Sequence, residues 1–157
     1  MRRRLEQLKA LSLEEWRLLL SAMVLLPLIA LSLRLRGVKY TQNTMRRFVP
    51  EESNLSGPSQ ADMDKAWVIA RIVSVAAGHG AYRANCLKKS LVLWWLLARR
   101  GIKSVIIFGV PKESMRDFFA HAWVECNGVN LSDSDEIQQQ FTAFQKRGET
   151  LGVKREE

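Results

Sequence analysis

Residues 85–101 read NCLKKSLVLWWLLARRG, and this stretch decides how the rest of the chain is interpreted. Asn85 is a good helix N-cap, which places Cys86 in the first turn of a helix that ends at Gly101. Five residues of this helix recur at the spacing of one buried face: Leu87, Leu91, Trp94, Trp95 and Ala98. The unpaired N–H groups and positive dipole end of a helix start stabilise a thiolate and can hold an oxyanion. The pattern therefore predicts either a reactive cysteine or a small buried cysteine that fills space.

The segment after this helix predicts two strands, and the second of them carries a histidine. SVIIFGV at residues 104–110 is typical of a buried strand, and FAHAWVEC at residues 119–126 is typical of another. His121 then shares a face with Trp123 and Glu125, between two small alanines that leave room for another element to approach. It is one of only two histidines in the chain. The residue is a candidate general base, and the alternative is a core histidine that bonds to a backbone carbonyl.

Asp133 follows an Asn-Gly turn, and the length of that turn determines which face of the sheet it joins. A two-residue turn pairs Cys126 with Val129 and points Asp133 away from His121. A three-residue loop that begins at Cys126 shifts the register by one residue and pairs His121 with Asp133. We predict the second register, because it also places the apolar residues after the turn on the face of Trp123.

The remaining cysteine and histidine, Cys126 and His79, predict no metal or cofactor site. Asp133 is also a candidate N-cap of a following amphipathic helix, which bears Ile137, Phe141 and Phe144. Cys126 ends a strand on the face opposite His121, which favours a structural role. His79 lies between two glycines and is expected in a loop. The two cysteines and two histidines show no ligand-like spacing, so a zinc site is not expected.

The amino-terminal third predicts helices, although it imitates a signal anchor. Ser12 with Glu15 forms a capping-box pattern for the first helix, which Pro27 should bend and Gly37 should end. The apolar run at residues 18–33 is shorter than the roughly 20 residues that span a membrane. We therefore expect a buried helix, with peripheral membrane contact left open.

Two further helices follow. YTQNTMRRF, from residue 40 to residue 48, predicts a short helix with Met45 and Phe48 on one side. Ser59, three residues before Asp62, then predicts the start of another helix that ends at the Gly-His-Gly of residues 78–80. Five of its residues form one apolar face: Met63, Ala66, Trp67, Ala70 and Val73.

Composition agrees with one folded α+β domain over residues 1–157. The chain is 47% hydrophobic and 25% charged, as in ordinary globular proteins. Its helical part extends to about residue 101, and strands follow. Two cysteines in different surroundings predict a reducing, cytoplasmic location. The net charge of +8 is spread along the chain, which favours solvated faces over a nucleic-acid surface.

These residues resemble a known family. NCLKKSLVLWWLLARRGI, IIFGV and FFAHAWVECNGVNLSD look like the core of the transglutaminase-like leader peptidases of bacterial lasso-peptide biosynthesis. They resemble the split type, in which the peptidase and the leader-recognition domain are separate chains. The match runs from Cys86 to Phe144, and LLLSAMVLLPLIALSLRLRG resembles the family's amino-terminal part more loosely. The resemblance implies a papain-like core at residues 78–145, with its cysteine helix packed on a small antiparallel sheet, after a helical part at residues 1–77.

The resemblance also implies an activity. It implies a catalytic triad of Cys86, His121 and Asp133, without a cofactor, that cleaves the leader segment from a ribosomally made precursor peptide. Lys89 departs from the family by standing where arginine is common. The implied partners are the precursor, a separate leader-recognition protein and a lasso cyclase. Two other functions remain open: an acyl transferase on the same scaffold, and a non-enzymatic module that binds peptide through the basic surface.

Overall fold

The computed structural model describes residues 12–47, 58–79, 85–111, 120–132 and 141–143. Within these ranges the chain forms three helices: α1 (Leu13–Arg46), α2 (Gln60–His79) and α3 (Cys86–Ala98). Four strands follow: β1 (Val105–Pro111), β2 (His121–Cys126), β3 (Val129–Asn130) and β4 (Phe141–Ala143). They form one antiparallel sheet in the order β3-β2-β1-β4. The predicted α+β class is confirmed.

Both predicted capping patterns are present at the starts of α1 and α2. Glu15 N donates to Ser12 Oγ at 3.2 Å, and Ser12 N donates to the Glu15 carboxylate at 2.8 Å. Ser59 and Asp62 repeat this arrangement at 3.2 and 3.1 Å. The hydrogen bonds that Ser12 and Ser59 donate lower the pKa of the Glu15 and Asp62 carboxyls. Local sequence therefore predicted both helix starts correctly.

The span α1 consists of two helical segments that meet at Gly37. Its φ of 75° and ψ of 178° lie outside the helical region, so the first segment ends there and a second segment follows to Arg46. The hydroxyl of Thr41 donates to Gly37 O at 2.9 Å and lies 2.8 Å from the Ser32 hydroxyl. These bonds tie the segment after the kink to the segment before it. The helix end predicted at Gly37 is therefore confirmed, and the short helix predicted from residue 40 is the segment of α1 after the kink, in which Met45 is buried.

The three helices and one face of the sheet share a single hydrophobic core. Ala66, Ala70 and Val73 of α2 are buried in it as predicted, whereas Trp67 is 47% exposed. The buried face of α2 is centred on the row that contains Ile69, Val73 and Ala76, so the large indole ring lies to one side of it. The prediction that Trp67 belongs to the buried face is wrong.

The hairpin between β2 and β3 has the register that we did not predict. Cys126 pairs with Val129 across a two-residue turn, in which Asn127 and Gly128 have φ values of 52° and 78°. Positive φ at both central residues is the type I′ geometry that Asn-Gly favours. Because asparagine tolerates this conformation, the turn needs no third residue from the strand. The predicted three-residue loop is wrong, and so is the strand register from which the pairing of His121 with Asp133 was derived; Asp133 itself lies outside the described residues.

The residues after the turn agree with the observed register. The N–H of Leu131 donates to Val124 O at 2.9 Å, and Leu131 is 4% exposed within the main core. It therefore lies with Val124 on the helix-facing side of the sheet. Trp123 belongs to a separate buried cluster with Ile107 on the other side.

The strand β4 replaces part of a predicted helix. Phe141–Ala143 pairs with β1, where Gly109 lies opposite Ala143 and Val110 lies opposite Thr142. This pairing satisfies the edge of β1 that faces away from β2, and unpaired backbone groups at such an edge are costly when buried. The helix predicted to carry Phe141 is therefore wrong at that residue. Ile137 and Phe144 of the same prediction lie outside the described residues.

Candidate active site

Cys86 is the first residue of α3, as the sequence predicted. Asn85 is the N-cap, with φ −77° and ψ 172°, and its side chain accepts from the N–H of Lys88 at 3.3 Å. Helix geometry leaves the N–H groups of Cys86 and Leu87 without an intrahelical acceptor. The Cys86 side chain is partly exposed. The thiol therefore lies at the positive end of a helix, within reach of solvent and of donor amides.

Two contacts fix α3 along β2. Cys86 Sγ lies 4.0 Å from Ala120 O, and the buried Ser90 hydroxyl donates to Ala122 O at 2.9 Å. The four-residue step from Cys86 to Ser90 rises about 6 Å along the helix, and the two-residue step from Ala120 to Ala122 rises about 6.6 Å along the strand. The two steps match, so α3 and β2 run side by side. The start of α3 and the start of β2 consequently lie at the same end of the domain.

His121 is the first residue of β2, directly after the carbonyl that the Cys86 thiol contacts. It pairs with Gly109 of β1, which presents no side chain beside it. Its ring stacks on Trp123 at a centroid distance of 6.0 Å and an interplanar angle of 25°. Trp123 Nε1 in turn donates to the Glu125 carboxylate at 2.7 Å. The structure thus brings the Cys86 thiol to the backbone next to His121, while the imidazole stacks on Trp123, whose side chain lies on the face of the sheet away from α3.

Asp133 lies outside the described residues, but the residue before it is firmly held. Lys89 Nζ donates to Ser132 O at 2.7 Å. The Ser132 hydroxyl accepts from Val124 N at 3.0 Å, and the backbone N–H of Ser132 donates to the Asn130 side chain at 2.8 Å. The chain leaving β3 is therefore anchored to the first turn of α3. The placement of Asp133 beside His121 stays a prediction that rests on this anchor and no longer on strand pairing.

Cys126 has the surroundings of a structural cysteine. It is fully buried, and its thiol donates to Lys103 O at 3.2 Å. Burial raises the pKa of the Cys126 thiol, and the negative charge of Asp62 adds to the effect. His79 is the last residue of α2, so the prediction that it lies in a loop is wrong. In the part of the chain that the structure describes, no cluster of three or more histidine, cysteine or acidic residues is arranged to hold a metal ion.

Sequence reasoning missed three residues that organise the site: Lys89, Ser90 and Ser132. Ser90 is a fully buried polar residue in an otherwise apolar helix, four residues after Cys86 and therefore on the same face. That spacing is a signal that the sequence offered. The bond from Lys89 to Ser132 joins residues 43 positions apart, so no local pattern could reveal it.

Comparison with known proteins agrees with this geometry. A family model described as the transglutaminase-like superfamily matches residues 25–146, well over half of the chain. Searches of curated proteins and of solved structures found no match. The matched segment begins within α1 and includes Cys86, His121 and Asp133. The superfamily includes cysteine peptidases and acyl transferases. The chain therefore belongs to the transglutaminase-like superfamily.

Proposed function

We propose that this protein is a cysteine peptidase that removes the leader segment of a lasso-peptide precursor. The observation that carries the peptidase chemistry is the position of Cys86. Its thiol lies at the start of α3, and the sulfur is 4.0 Å from the carbonyl oxygen of Ala120, the residue before His121. A thiol and donor amides at a helix terminus, with a histidine at the start of the adjacent strand, are the groups that acyl transfer through cysteine requires.

The first half of the reaction forms a thioester. His121 takes the proton of Cys86, and the thiolate attacks the carbonyl carbon of the scissile peptide bond. The N–H groups of the first helical turn donate to the oxygen that becomes negative in the tetrahedral intermediate. His121 then protonates the departing nitrogen as the C–N bond breaks. A base of this kind contributes roughly 10²–10⁴ in rate, and an oxyanion donor about 10²–10³.

The second half restores the enzyme. Water loses a proton to His121 and attacks the thioester carbonyl, which releases the leader as a carboxylic acid and returns the proton to the Cys86 sulfur. Asp133, in this proposal, orients the imidazole and stabilises its protonated form. The anchored Ser132 supports that role, because Lys89 holds the preceding carbonyl against the first turn of α3.

The proposed substrate rests on the resemblance of three segments, which begin at Cys86 and continue through β1 and the β2–β3 hairpin. In the split type that they resemble, a separate leader-binding protein delivers the precursor, and a cyclase uses the amino group that cleavage frees. We place the reaction in the cytoplasm, where precursor peptides are made and free thiols such as Cys86 and Cys126 stay reduced. Peptide substrate, leader-binding protein and cyclase are therefore the proposed partners.

The experiment incubates the precursor and its leader-binding protein with wild type, Cys86→Ala or Cys126→Ala, and follows peptide mass. We expect leader loss with wild type and with Cys126→Ala, because Cys126 is buried away from the thiol site. Cys86→Ala should leave the precursor intact. Cleavage that persists in Cys86→Ala contradicts the assignment of the nucleophile.

Product mass also separates the alternative functions. A cross-linked product that has lost ammonia indicates that an amine intercepts the thioester, as in an acyl transferase. A precursor that is bound but chemically unchanged by every variant indicates a binding module without catalysis.

A further inference from the structure

Helix α1 is apolar on two opposite sides. Its inner side packs into the core through Leu18, Ala22, Leu26 and Ile29. Its outer side carries a row of exposed large residues, which we call the outer strip: Leu13, Trp16, Leu20, Met23, Val24, Leu28, Leu31 and Leu35. At 100° per residue these eight positions lie on one side of the helix, opposite the buried row.

The outer strip is too large to be ordinary surface. Its members are between 39% and 76% exposed. The most apolar 18-residue window of α1 has a mean hydropathy of 2.3, yet only 28% of it is buried. A helix that is apolar all round is normally covered on all sides, and contiguous exposed patches of this kind mark interaction sites. The described part of the domain packs on the inner side of α1, which leaves the outer strip available to a partner.

Charge indicates what the partner is. Arg17 and Arg34 are exposed on the outer side, and no charged residue lies between them in the sequence. The first turn of α1 carries Glu14, which is exposed, and Glu15, which pairs with Arg71; from Trp16 through Arg47 every charged residue is basic: Arg17, Arg34, Arg36, Lys39, Arg46 and Arg47. A partner that meets this surface is therefore apolar in the middle and anionic at its margins.

We propose that the outer strip binds the surface of an anionic lipid bilayer, with α1 lying in the plane of the interface. The leucines enter the acyl boundary, and the arginines extend to lipid phosphates at both ends. A protein partner fits less well, because protein interfaces carry about one hydrogen bond per 100–200 Å² and the outer strip is almost devoid of donors and acceptors.

The helix lies on the bilayer and does not cross it. Arg17 and Arg34 are separated by about 25 Å along the helix, less than the roughly 30 Å hydrocarbon core. The inner side of α1 is packed against α2 and α3, so a spanning orientation would pull those helices into lipid. Glu15 at the start of α1 is also paired with Arg71 of α2 at 2.7 Å, which ties the helix to the domain.

The test is flotation of the full-length protein with vesicles of phosphatidylglycerol and phosphatidylcholine, or of phosphatidylcholine alone. We expect the protein to float with the anionic vesicles, and less so at high salt. Leu20→Glu, Val24→Glu and Leu28→Glu should each lower the partition coefficient about tenfold or more. The matched control is Ser74→Glu, an exposed position on α2, which makes the same charge change away from the outer strip and should bind within about twofold of wild type.

Arg17→Gln and Arg34→Gln measure the electrostatic part. Each should weaken binding to anionic vesicles about fivefold and leave binding to phosphatidylcholine unchanged. Lys103→Gln, an exposed residue before β1, is the control for these two substitutions. All of the substituted side chains are exposed, so circular dichroism and the thermal midpoint should match wild type.

Two results overturn the proposal. One is wild type that fails to float with anionic vesicles, or that floats no better than Leu20→Glu and Val24→Glu. The other is wild type that is dimeric in solution while the outer-strip variants are monomeric, because a second copy then covers the strip. Neither measurement involves peptide cleavage, so the result does not depend on the proposed peptidase activity.

Discussion

The two cysteines of this protein lie near the two ends of β2, in opposite chemical environments. Cys86 is partly exposed at the start of α3, among backbone N–H groups that have no intrahelical acceptor. Cys126 is fully buried among apolar side chains, and its thiol donates to Lys103 O. The same side chain is thus a candidate nucleophile at one end of the strand and a filler of the core at the other. Its position relative to a helix terminus and to solvent makes the difference.

The largest expected effect comes from replacing each thiol by a hydroxyl. Cys86→Ser should lower kcat/KM for leader cleavage about 10³-fold or more, because a serine hydroxyl is a far weaker nucleophile in a site built for a thiolate. Cys126→Ser should keep kcat/KM within about twofold and lower the free energy of unfolding by about 1 kcal/mol. Rates of peptide cleavage and urea unfolding measure the two effects. If Cys126→Ser abolishes cleavage while it stays folded, the contrast between the two regions is wrong.

Alkylation tests the same contrast without a substrate. We expect iodoacetamide to label Cys86 about 100-fold faster than Cys126 at neutral pH, because Cys126 reacts only when the core opens. Peptide mass mapping at successive times gives both rates in one sample. The rates should converge in denaturant, which serves as the control. Equal rates in the folded protein would show that α3 does not activate Cys86.

The bond from Lys89 to Ser132 provides a test of the Cys86 end of β2 alone. Lys89→Met removes the bond to Ser132 O, so the chain that enters Asp133 is no longer held at the first turn of α3. We expect kcat for leader cleavage to fall about tenfold and the acidic limb of its pH profile to shift, because Asp133 orients His121 in the proposed triad. The alkylation rate of Cys126 should not change. Lys103→Met is the control, and it should retain the wild-type profile; a loss of kcat without a change in the profile would indicate a merely structural role for Lys89.

The smallest effect concerns pH at the Cys126 end. Burial raises the pKa of the folded-state thiol above its ordinary value of 9.0. The stabilisation from keeping this thiol neutral is present below the unfolded-state pKa and is lost as pH rises towards the folded-state pKa. Between about pH 8 and pH 10, wild type should therefore lose more unfolding free energy than Cys126→Ala does. Urea unfolding at the two pH values measures the difference, and parallel losses would contradict a buried, neutral Cys126.

Local patterns predicted the helix starts of this protein and failed for its longer-range pairings. The caps at Ser12, Ser59 and Asn85 were predicted correctly, because each bond joins residues three apart. The register of the β2–β3 hairpin was not, because two turn geometries fit the same Asn-Gly sequence. The strand at Phe141–Ala143 was missed as well, since its partner in β1 lies some thirty residues earlier and its own spacing also suits a helix.

The candidate site divides in the same way. Cys86 and His121 were singled out from their own segments, and α3 does place the thiol next to the carbonyl before His121. Two hydrogen bonds support that arrangement: the Ser90 hydroxyl donates to Ala122 O, and Lys89 Nζ donates to Ser132 O. The spacing of Ser90 from Cys86 was visible in the sequence, but the bonding partners of Ser90 and Lys89 could not be predicted, because each bond joins residues more than thirty positions apart. The position of Asp133 remains a prediction.

The sequence by itself determined the helix starts, the strand composition, the candidate cysteine and histidine, and the all-basic charge of α1 after Glu15. These properties depend on backbone bonds and side-chain spacing within a few residues, which do not need the rest of the fold. Only the tertiary structure decided which side of α1 is buried and how Cys86 approaches the start of β2. Each of these depends on which surfaces meet in space, because the burial of apolar area and the pairing of buried polar groups are settled across the whole core. An apolar helix such as α1 has two faces that are nearly equivalent in sequence, and only packing against α2 and α3 makes one of them the inner face.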